Sequence, residues 1–218
     1  MTTDLIERID AMVQRRSLLS HPFYQAWNRG DLPLGSLRKY AGQYYHFEAA
    51  YPTFLSGLHH RCDDPEVRQM VLDNLWDEEH GEDNHVELWL RFCDGLGVDR
   101  NEVLYSDPVD ATTSLVDTYK SLTSSGSTAA GAAALYAFES QVPKVAVAKI
   151  AGLREHYGIE DEDTTSFFEV HKTLDEQHSD AEREMIEALT TSESDRAAAV
   201  MAADIATESL WRFLDGVY

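Results

Sequence analysis

Apolar residues recur at spacings of three and four along most of the chain, as they do on one face of an amphipathic α-helix. Leu5, Ile6, Ile9, Met12 and Val13 give this pattern near the N-terminus. Alternation of apolar and polar residues between Asn-Gly or Asp-Gly turns, the pattern of a β-hairpin, is nearly absent. The sequence therefore predicts an all-α fold with seven or eight helices.

Proline, glycine and capping residues mark where these helices begin and end. The second helix is short, with Pro22 in its first turn and Gly30 after its last residue. The longer helices are predicted from Pro33 to Arg61, from Asp64 to about Gly97, from Asp110 or Thr112 to about Ser121, from Ala129 through Glu139 to Lys149, from the acidic residues 160–163 through His178, and from after Ser192 to about Leu214. No repeat or linker divides the chain, so residues 1–218 are predicted to form a single domain.

Length and composition are those of an ordinary globular protein. A chain of 218 residues with 43% hydrophobic residues suits one sizeable core. No apolar run approaches the ~20 residues of a membrane span, and the acidic N-terminus is unlike a signal peptide. The two cysteines, Cys62 and Cys93, give no disulfide framework. These features favour a cytoplasmic protein.

The charge balance argues against polyanionic partners. The formal net charge is −21, so the phosphates of nucleic acids and of anionic membranes would be repelled. Few of the basic residues are lysines, which makes the position of each lysine informative. The lysines are Lys39, Lys120, Lys144, Lys149 and Lys172.

Two histidines and an aspartate are spaced for one edge of a helix. If residues 171–178 are helical, Asp175 lies ~40° from His171 around the axis, and His178 lies ~20° to the other side. Two imidazoles and a carboxylate on one edge are typical of a metal site. A polar helix whose histidines happen to align would give the same pattern, so matching ligands are needed elsewhere in the chain.

Acidic residues on other helices are candidates for those ligands. Glu78, Glu82 and His85 are spaced i, i+4 and i+7, and Glu82-x-x-His85 matches a pair found in carboxylate-bridged di-iron bundles, although acidic helices often contain it by chance. Glu139 is a lone acid in an apolar segment, and because an unpaired buried carboxylate is costly, we expect a cation or metal beside it. Glu48 lies among aromatic residues and is either a further ligand or a solvent-facing side chain.

Taken together, these residues favour two metal ions over one. Carboxylates and imidazoles without thiolates suit iron or manganese better than structural zinc. Three acids and three histidines exceed the needs of a mononuclear site with open positions, and they suit two ions bridged by carboxylate. The metal-type residues lie on three predicted helices: Glu78, Glu82 and His85 on one, Glu139 on another, and His171, Asp175 and His178 on the third.

The spacing of these residues resembles that of the haem-oxygenase-like di-iron oxygenases. That family pairs a Glu-x6-His helix and a single later Glu with a His-x3-Asp-x2-His helix. The similarity extends from about His21 to Met185 and is greatest to the branch of the chlamydial protein associating with death domains and its folate-metabolism relatives. The matching ligands here are Glu78, His85, Glu139, His171, Asp175 and His178; the segment His21-Pro22-Phe23-Tyr24 and Lys149 also look like that branch.

The resemblance implies a helical bundle of the TenA/PqqC-like superfamily that holds two metal ions, Fe/Fe or Mn/Fe. Dioxygen would be the co-substrate and an external reductant a partner, and proteins of this type often form homodimers. Glu48 and Glu82 would be reserve carboxylates around the six ligands.

Members of this branch form para-aminobenzoate for folate synthesis from one of their own tyrosines, with one of their own lysines as amino donor. The matching residues here are Tyr24 and Lys149. A lysine amine is nucleophilic only when deprotonated, which a desolvated position favours. One departure is Phe138, at a position where a tyrosine is expected, so a role for a phenol there does not carry over.

Two other functions fit an all-α chain. One is a metal-independent enzyme resembling thiaminases or pyrroloquinoline-quinone synthase; the thiaminase type would need a nucleophilic cysteine, but neither Cys62 nor Cys93 lies on the ligand stripe. The other is a protein-interaction module, which would not require six metal ligands to converge. Bound metal separates an oxygenase from the first alternative, and partner binding by a variant without the ligands tests the second.

Overall fold

A computed structural model describes residues 2–218 of the chain, apart from the side chains of residues 2, 3 and 176. Twelve α-helices and one short 3-10 helix lie in that range, and no β-strand does. The all-α prediction is confirmed, but the helices outnumber the predicted seven or eight. They are α1 (Thr2–Arg15), the 3-10 helix (Leu18–Ser20), α2 (Pro22–Arg29), α3 (Leu34–Arg61), α4 (Pro65–Glu79), α5 (His85–Gly95), α6 (Arg100–Tyr105), α7 (Asp110–Ser124), α8 (Thr128–Glu139), α9 (Val142–Tyr157), α10 (Glu162–His171), α11 (Leu174–Leu189) and α12 (Glu193–Val217).

The helix predicted over residues 64–97 is broken after Glu79. Gly81 has a φ of 91°, a left-handed conformation that glycine adopts at little steric cost. The side chain of Asn84 then caps α5 by accepting a hydrogen bond from a backbone N–H in its first turn. The continuous stripe predicted to contain Glu82 is therefore wrong, because Glu82 is exposed in this turn.

Two other predicted helices are also divided. The helix predicted over residues 129–149 stops at Glu139, and α9 begins with Pro143 in its first turn, where a proline leaves no helical hydrogen bond unmade. The helix predicted through residues 171–178 is split between α10, which ends at His171, and α11. The prediction that His171 shares one continuous helical edge with Asp175 and His178 is therefore wrong. These breaks, with the short α6 in a predicted connector, account for the larger number of helices.

Helix α8 runs through the centre of the bundle. Every residue from Ala129 to Glu139 is buried, and the helix packs against α7, α11 and α12. Although α8 is buried along its length, it has only 12 residues, against ~20 for a membrane span. None of the helices between residues 2 and 218 is both long and apolar enough to cross a membrane. Because α8 ends at Glu139, the packing of this helix carries a carboxylate into the interior.

Candidate functional site

Acidic and histidine side chains converge inside the bundle in two groups. In each group, one potential ligand atom from each of three buried residues lies within 4.8 Å of the other two. Six different helices supply the six residues, so the arrangement depends on the folded bundle. The first group is Glu48, His85 and His171, and the second is Glu78, Glu139 and His178. Five of the six predicted ligands are thus together, Glu48 has joined them, and Asp175 lies beside the second group.

The turn at Gly81 brings the end of α4 against the start of α5. Nδ1 of His85 lies 2.7 Å from Oε2 of Glu78, although the two residues are on different helices. Burial lowers the pKa of His85, but the charge of Glu78 and the hydrogen bond to it outweigh burial and raise the pKa to about 9. Nδ1 of His85 therefore carries a proton and donates a hydrogen bond to Glu78, and a metal ion bound there would replace that proton.

His171 presents one ring nitrogen for coordination. Its Nδ1 lies 2.6 Å from the carbonyl oxygen of Phe167 and donates there, because a carbonyl oxygen only accepts. Burial, together with the nearby charge of His85, lowers the pKa of His171 well below its usual range, so the ring is neutral. The free lone pair is then on Nε2, which is the arrangement of a histidine ligand oriented by a backbone partner.

His178 lies between a surface carboxylate and two buried ones. Its Nε2 is 3.2 Å from Oδ2 of Asp77, and its Nδ1 is 3.5 Å from Glu139 and 3.6 Å from Asp175, with no hydrogen-bond partner. Burial lowers the pKa of His178, but Asp175 and Glu139 outweigh it and raise the pKa to about 10. An ion between Nδ1 and the two buried carboxylates would satisfy all three groups, with Asp77 orienting the ring.

Two neutral side chains orient Glu139. Tyr51 donates a hydrogen bond to its carboxylate from the phenol, and Asn74 donates from Nδ2 at 3.0 Å. The pKa of Glu139 is nevertheless raised, because burial outweighs the favourable charge of His178. Neutral donors fix the direction of this carboxylate without supplying the positive charge that it lacks.

The buried carboxylates here outnumber the two protonated histidines, His85 and His178. Burial raises the pKa values of Glu48 and Asp175, and burial with the charges of Glu139 and Asp175 raises that of Glu182 well above its usual range. Oδ2 of Asp175 and both carboxylate oxygens of Glu182 have no hydrogen-bond partner in the part of the chain that the structure describes. Glu182 was not predicted from the sequence; the signal was its position seven residues after Asp175, on the same face of α11.

The donor set of this centre fits iron or manganese. It consists of carboxylate oxygens and imidazole nitrogens without a thiolate. Its unsatisfied buried acceptors are atoms that an ion would satisfy and that are otherwise costly to bury. The raised carboxyl pKa values mean that a cation would displace protons when it binds.

A small aromatic cavity adjoins this centre. Its volume is about 30 Å³, which is enough for a water molecule. Phe167 joins the cavity to the metal-type residues, because its ring lines the cavity and stacks on His171 with centroids 4.0 Å apart. Phe138, the residue that departs from the expected tyrosine, also lines the cavity.

Tyr24 and Lys149, the two residues predicted to react, both line this cavity. Lys149 is only 4% exposed; its Nζ donates to the hydroxyl of Tyr40 at 2.7 Å and lies 5.8 Å from the centre of the Tyr24 ring. The hydroxyls of Tyr24 and Tyr40 are 3.4 Å apart. Burial lowers the pKa of Lys149 to about 7 against the opposing charge of Glu48, so a large fraction of the amine is neutral near neutral pH.

The two cysteines lie away from the cavity. Both are buried and unpaired, and neither is among the residues that line the cavity in the described chain. The Sγ of Cys93 lies 3.7 Å from the carbonyl oxygen of Ala41, and burial raises the pKa of its thiol to about 12. A thiol with so high a pKa is a poor nucleophile, which disfavours the thiaminase-like alternative.

Comparison with known proteins identifies the family. A family model described as an iron-containing redox enzyme matches residues 38–211. The chain is 42% identical to a 4-aminobenzoate synthase of Nitrosomonas europaea, over 100% of this chain and 92% of that protein. It is 40% identical to a 4-aminobenzoate synthase of Chlamydia muridarum, over 99% of this chain and 90% of that protein.

A solved structure has the same fold. It is a CADD-like protein of unknown function from Nostoc punctiforme, with a TM-score of 0.82 at 17% identity, over 99% of this chain and 96% of that one. The match at so low an identity supports the fold and, by itself, no activity. Together with the family model and the two synthases, it confirms the resemblance predicted from the ligand spacing. The chain therefore belongs to the haem-oxygenase-like family of iron-containing redox enzymes.

Proposed function

We propose that this chain forms 4-aminobenzoate from the ring of Tyr24 and the nitrogen of Lys149, and that it is consumed in doing so. The relatives named 4-aminobenzoate synthase support the product. A tyrosine ring already carries a carbon substituent para to a hydroxyl. Cleavage of the Cα–Cβ bond, oxidation of Cβ to a carboxylate by dioxygen and replacement of the hydroxyl by the lysine nitrogen would give 4-aminobenzoate. The Nζ–Cε bond of Lys149 would break in the transfer, and the phenol oxygen would leave as water. An Fe/Fe or Mn/Fe pair bound at the buried carboxylates and histidines would supply the dioxygen reduction that this oxidation needs, with electrons from an external reductant.

The observation that carries the proposal is a buried amine beside phenols in a cavity with no room for another ring. The cavity holds about 30 Å³, whereas pockets for small-molecule substrates hold roughly 300–1,000 Å³. An aromatic substrate from solution would have to displace several packed side chains before it reached Lys149. The rings already in place belong to the chain, which supports an internal source.

Two tyrosines compete for the role of ring donor. Nζ of Lys149 lies 5.0 Å from the ring centre of Tyr40 and 5.8 Å from that of Tyr24, so distance alone does not select Tyr24. The family resemblance supports Tyr24, and Tyr40 then has a positioning role. It accepts a hydrogen bond from the amine and its hydroxyl lies next to that of Tyr24, which aligns nitrogen and phenol.

The residues proposed to hold the metal pair divide between the two groups. Glu48, His85 and His171 face one ion, and Glu78, Glu139 and His178, with Asp175 beside them, face the other. Glu48 also connects the two parts of the site, because its charge acts on both His85 and Lys149. The amine is thus held close to the place where oxidising equivalents would be generated.

Replacing Glu139 with alanine should sharply reduce bound metal. The wild-type chain loaded with iron, or with iron and manganese, is expected to retain about two ions per chain after desalting, and Glu139→Ala less than one. The reason is that Glu139 is one of the three buried residues proposed to face one ion, together with Glu78 and His178. Elemental analysis of both proteins measures this, with Glu155→Ala as the control, since Glu155 is exposed on α9. Full metal occupancy in Glu139→Ala would contradict the assignment.

Product formation should rise with pH through about 7. Burial lowers the pKa of Lys149 to about 7, so the amine loses its proton, and becomes nucleophilic, as the pH rises from 6 to 8. The direct check is an NMR titration of a chain with 13C-labelled lysine Cε. One of the five lysines should titrate with a midpoint near 7, and its signal should be absent from Lys149→Met. A Lys149 midpoint near the unperturbed ~10.4 would contradict this expectation.

A further inference from the structure

Glu182 is a buried acid that none of the contacts described above explains. Its side chain is 0% exposed, and neither carboxylate oxygen has a hydrogen-bond partner among the residues whose side chains are described. It lies seven residues after Asp175 and four after His178 on α11, so all three point to the same side of that helix. Glu139 and Asp175 are close enough for their charges to act on it. The Glu182 carboxylate therefore lies on the helix face that carries Asp175 and His178, about one turn beyond His178.

The described side chains around Glu182 do not neutralise it, since burial and the charges of Glu139 and Asp175 all raise its pKa. The adjacent Arg183 is directed elsewhere, since it pairs with Asp10 at 3.2 Å and lies over the ring of Tyr136. The charge of Glu182 also acts on the buried Tyr119, but the Tyr119 hydroxyl has no hydrogen-bond partner either. A carboxylate buried without a hydrogen bond or a counter-ion is strongly disfavoured. Something that binds in the folded chain is expected to satisfy it.

The distribution of acids supports the same conclusion. The sequence contains 39 acidic residues, but only five are buried in the part of the chain whose side chains are described. Four of the five lie in or beside the two metal-type groups, and Glu182 is the fifth. They are Glu48, Glu78, Glu139, Asp175 and Glu182. Because the buried acids are gathered in one part of the core, we expect multivalent metal ions to bind there.

We propose that Glu182 is a further carboxylate ligand of the metal pair and binds the ion that faces Glu78, Glu139 and His178. This inference rests on the proposed metal site and extends it by one residue on α11. Glu182 lies outside the 4.8 Å grouping of Glu78, Glu139 and His178, and the three rotatable bonds of its side chain allow the carboxylate to reorient toward an ion. With Asp175 and His178, Glu182 would give α11 three ligands at positions i, i+3 and i+7.

The test compares Glu182→Gln with Glu184→Gln and with the wild-type chain. Glu184 is exposed on the same helix two residues away, so it controls for the change of charge. Each full-length protein is loaded with Mn²⁺, or with Fe²⁺ in the absence of oxygen, and then desalted. The metal content per chain is measured. The affinity for Mn²⁺ and the thermal unfolding with and without Mn²⁺ are measured in parallel. Glu182→Gln is expected to lose at least one ion per chain or to bind it at least tenfold more weakly. Its unfolding temperature should rise less on adding Mn²⁺, because metal that binds only the folded chain stabilises it.

Without metal, Glu182→Gln should unfold at the wild-type temperature or above it, since glutamine has no charge to bury. Two ions with wild-type affinity in Glu182→Gln would overturn the role of Glu182 and leave the proposed metal site standing. A wild-type chain that binds no metal would instead contradict the proposed function itself. If Glu182→Gln does not fold, anomalous scattering from Mn²⁺-loaded wild-type crystals decides: a Glu182 oxygen within roughly 2.0–2.5 Å of an ion supports the proposal, and a longer distance overturns it.

Discussion

The Lys149→Met variant should form no 4-aminobenzoate above background while it still binds metal. The expected loss is complete, because the variant lacks the nitrogen atom that the product requires. Methionine preserves an unbranched apolar side chain of similar length in the cavity. It also removes a buried amine whose charged form burial disfavours, so the variant should be at least as stable as the wild-type chain. Product is measured after incubation of metal-loaded protein with dioxygen and a reductant.

Lys144→Met is the matched control, because Lys144 is exposed on the same helix, α9. Isotope labelling removes the remaining ambiguity. A chain made with 15N-lysine and otherwise unlabelled should release product that carries 15N. Unlabelled product from that chain, or normal product from Lys149→Met, would mean that the amino group comes from solution and that Lys149 only lines the cavity.

The sequence predicted which acidic and histidine residues converge better than it predicted their helices. Glu78 and His85 were expected on one stripe of a continuous helix, yet the structure joins them at 2.7 Å across a turn. A turn of a few residues hardly disturbs apolar periodicity, so the pattern does not reveal it. The sequence shows a glycine at position 81, but it does not reveal whether this glycine has a helical or a left-handed backbone conformation. The spacing of the candidate ligands did not depend on the predicted helix boundaries, because it is read directly from the residue types along the chain.

Which acids are buried was harder to predict. Glu182 lies in the acid-rich segment between Asp180 and Glu187, where composition indicates a solvated helix face. Only the packing of α11 against α8 separates the buried Glu182 from the exposed Glu184. Glu48 was an open choice between ligand and surface for the same reason. Burial of a charged residue is set by tertiary contacts, so one sequence without its fold leaves it undetermined.

The arrangement around Lys149 was also beyond the sequence. The expectation of a continuous helix from residue 129 to 149 put its amine ~15 Å along the axis from Glu139. The break between α8 and α9 removes that constraint, and Lys149 instead packs among rings from other helices, with its amine on the hydroxyl of Tyr40. Its low exposure gives a reactive protonation state that a lysine count could not reveal.

The Tyr24→Phe variant should also make no 4-aminobenzoate, and the spent wild-type chain should be altered at Tyr24. Phenylalanine keeps the ring and its packing against Trp27, where the ring centroids are 6.2 Å apart, but it lacks the oxygen that nitrogen would replace. Because each chain holds one such tyrosine, product should stop near one molecule per chain. Tyr45→Phe is the control, since Tyr45 is partly exposed on α3 and does not line the cavity.

Trypsin makes the assignment unambiguous, because the peptide Ser17–Arg29 contains Tyr24 as its single tyrosine, whereas Tyr40 falls in the peptide Tyr40–Arg61. After reaction with dioxygen and reductant, Ser17–Arg29 should lose the mass of a tyrosine side chain in proportion to the product formed, and a chain carrying 13C-labelled tyrosine rings should yield labelled product. A mass loss in Tyr40–Arg61 would transfer the role of ring donor to that segment. If both peptides stay intact while the protein turns over an added aromatic compound many times, self-consumption is refuted. The protein would then be a metal-dependent oxygenase with an external substrate. Entry of that substrate would require the aromatic cavity to open well beyond about 30 Å³.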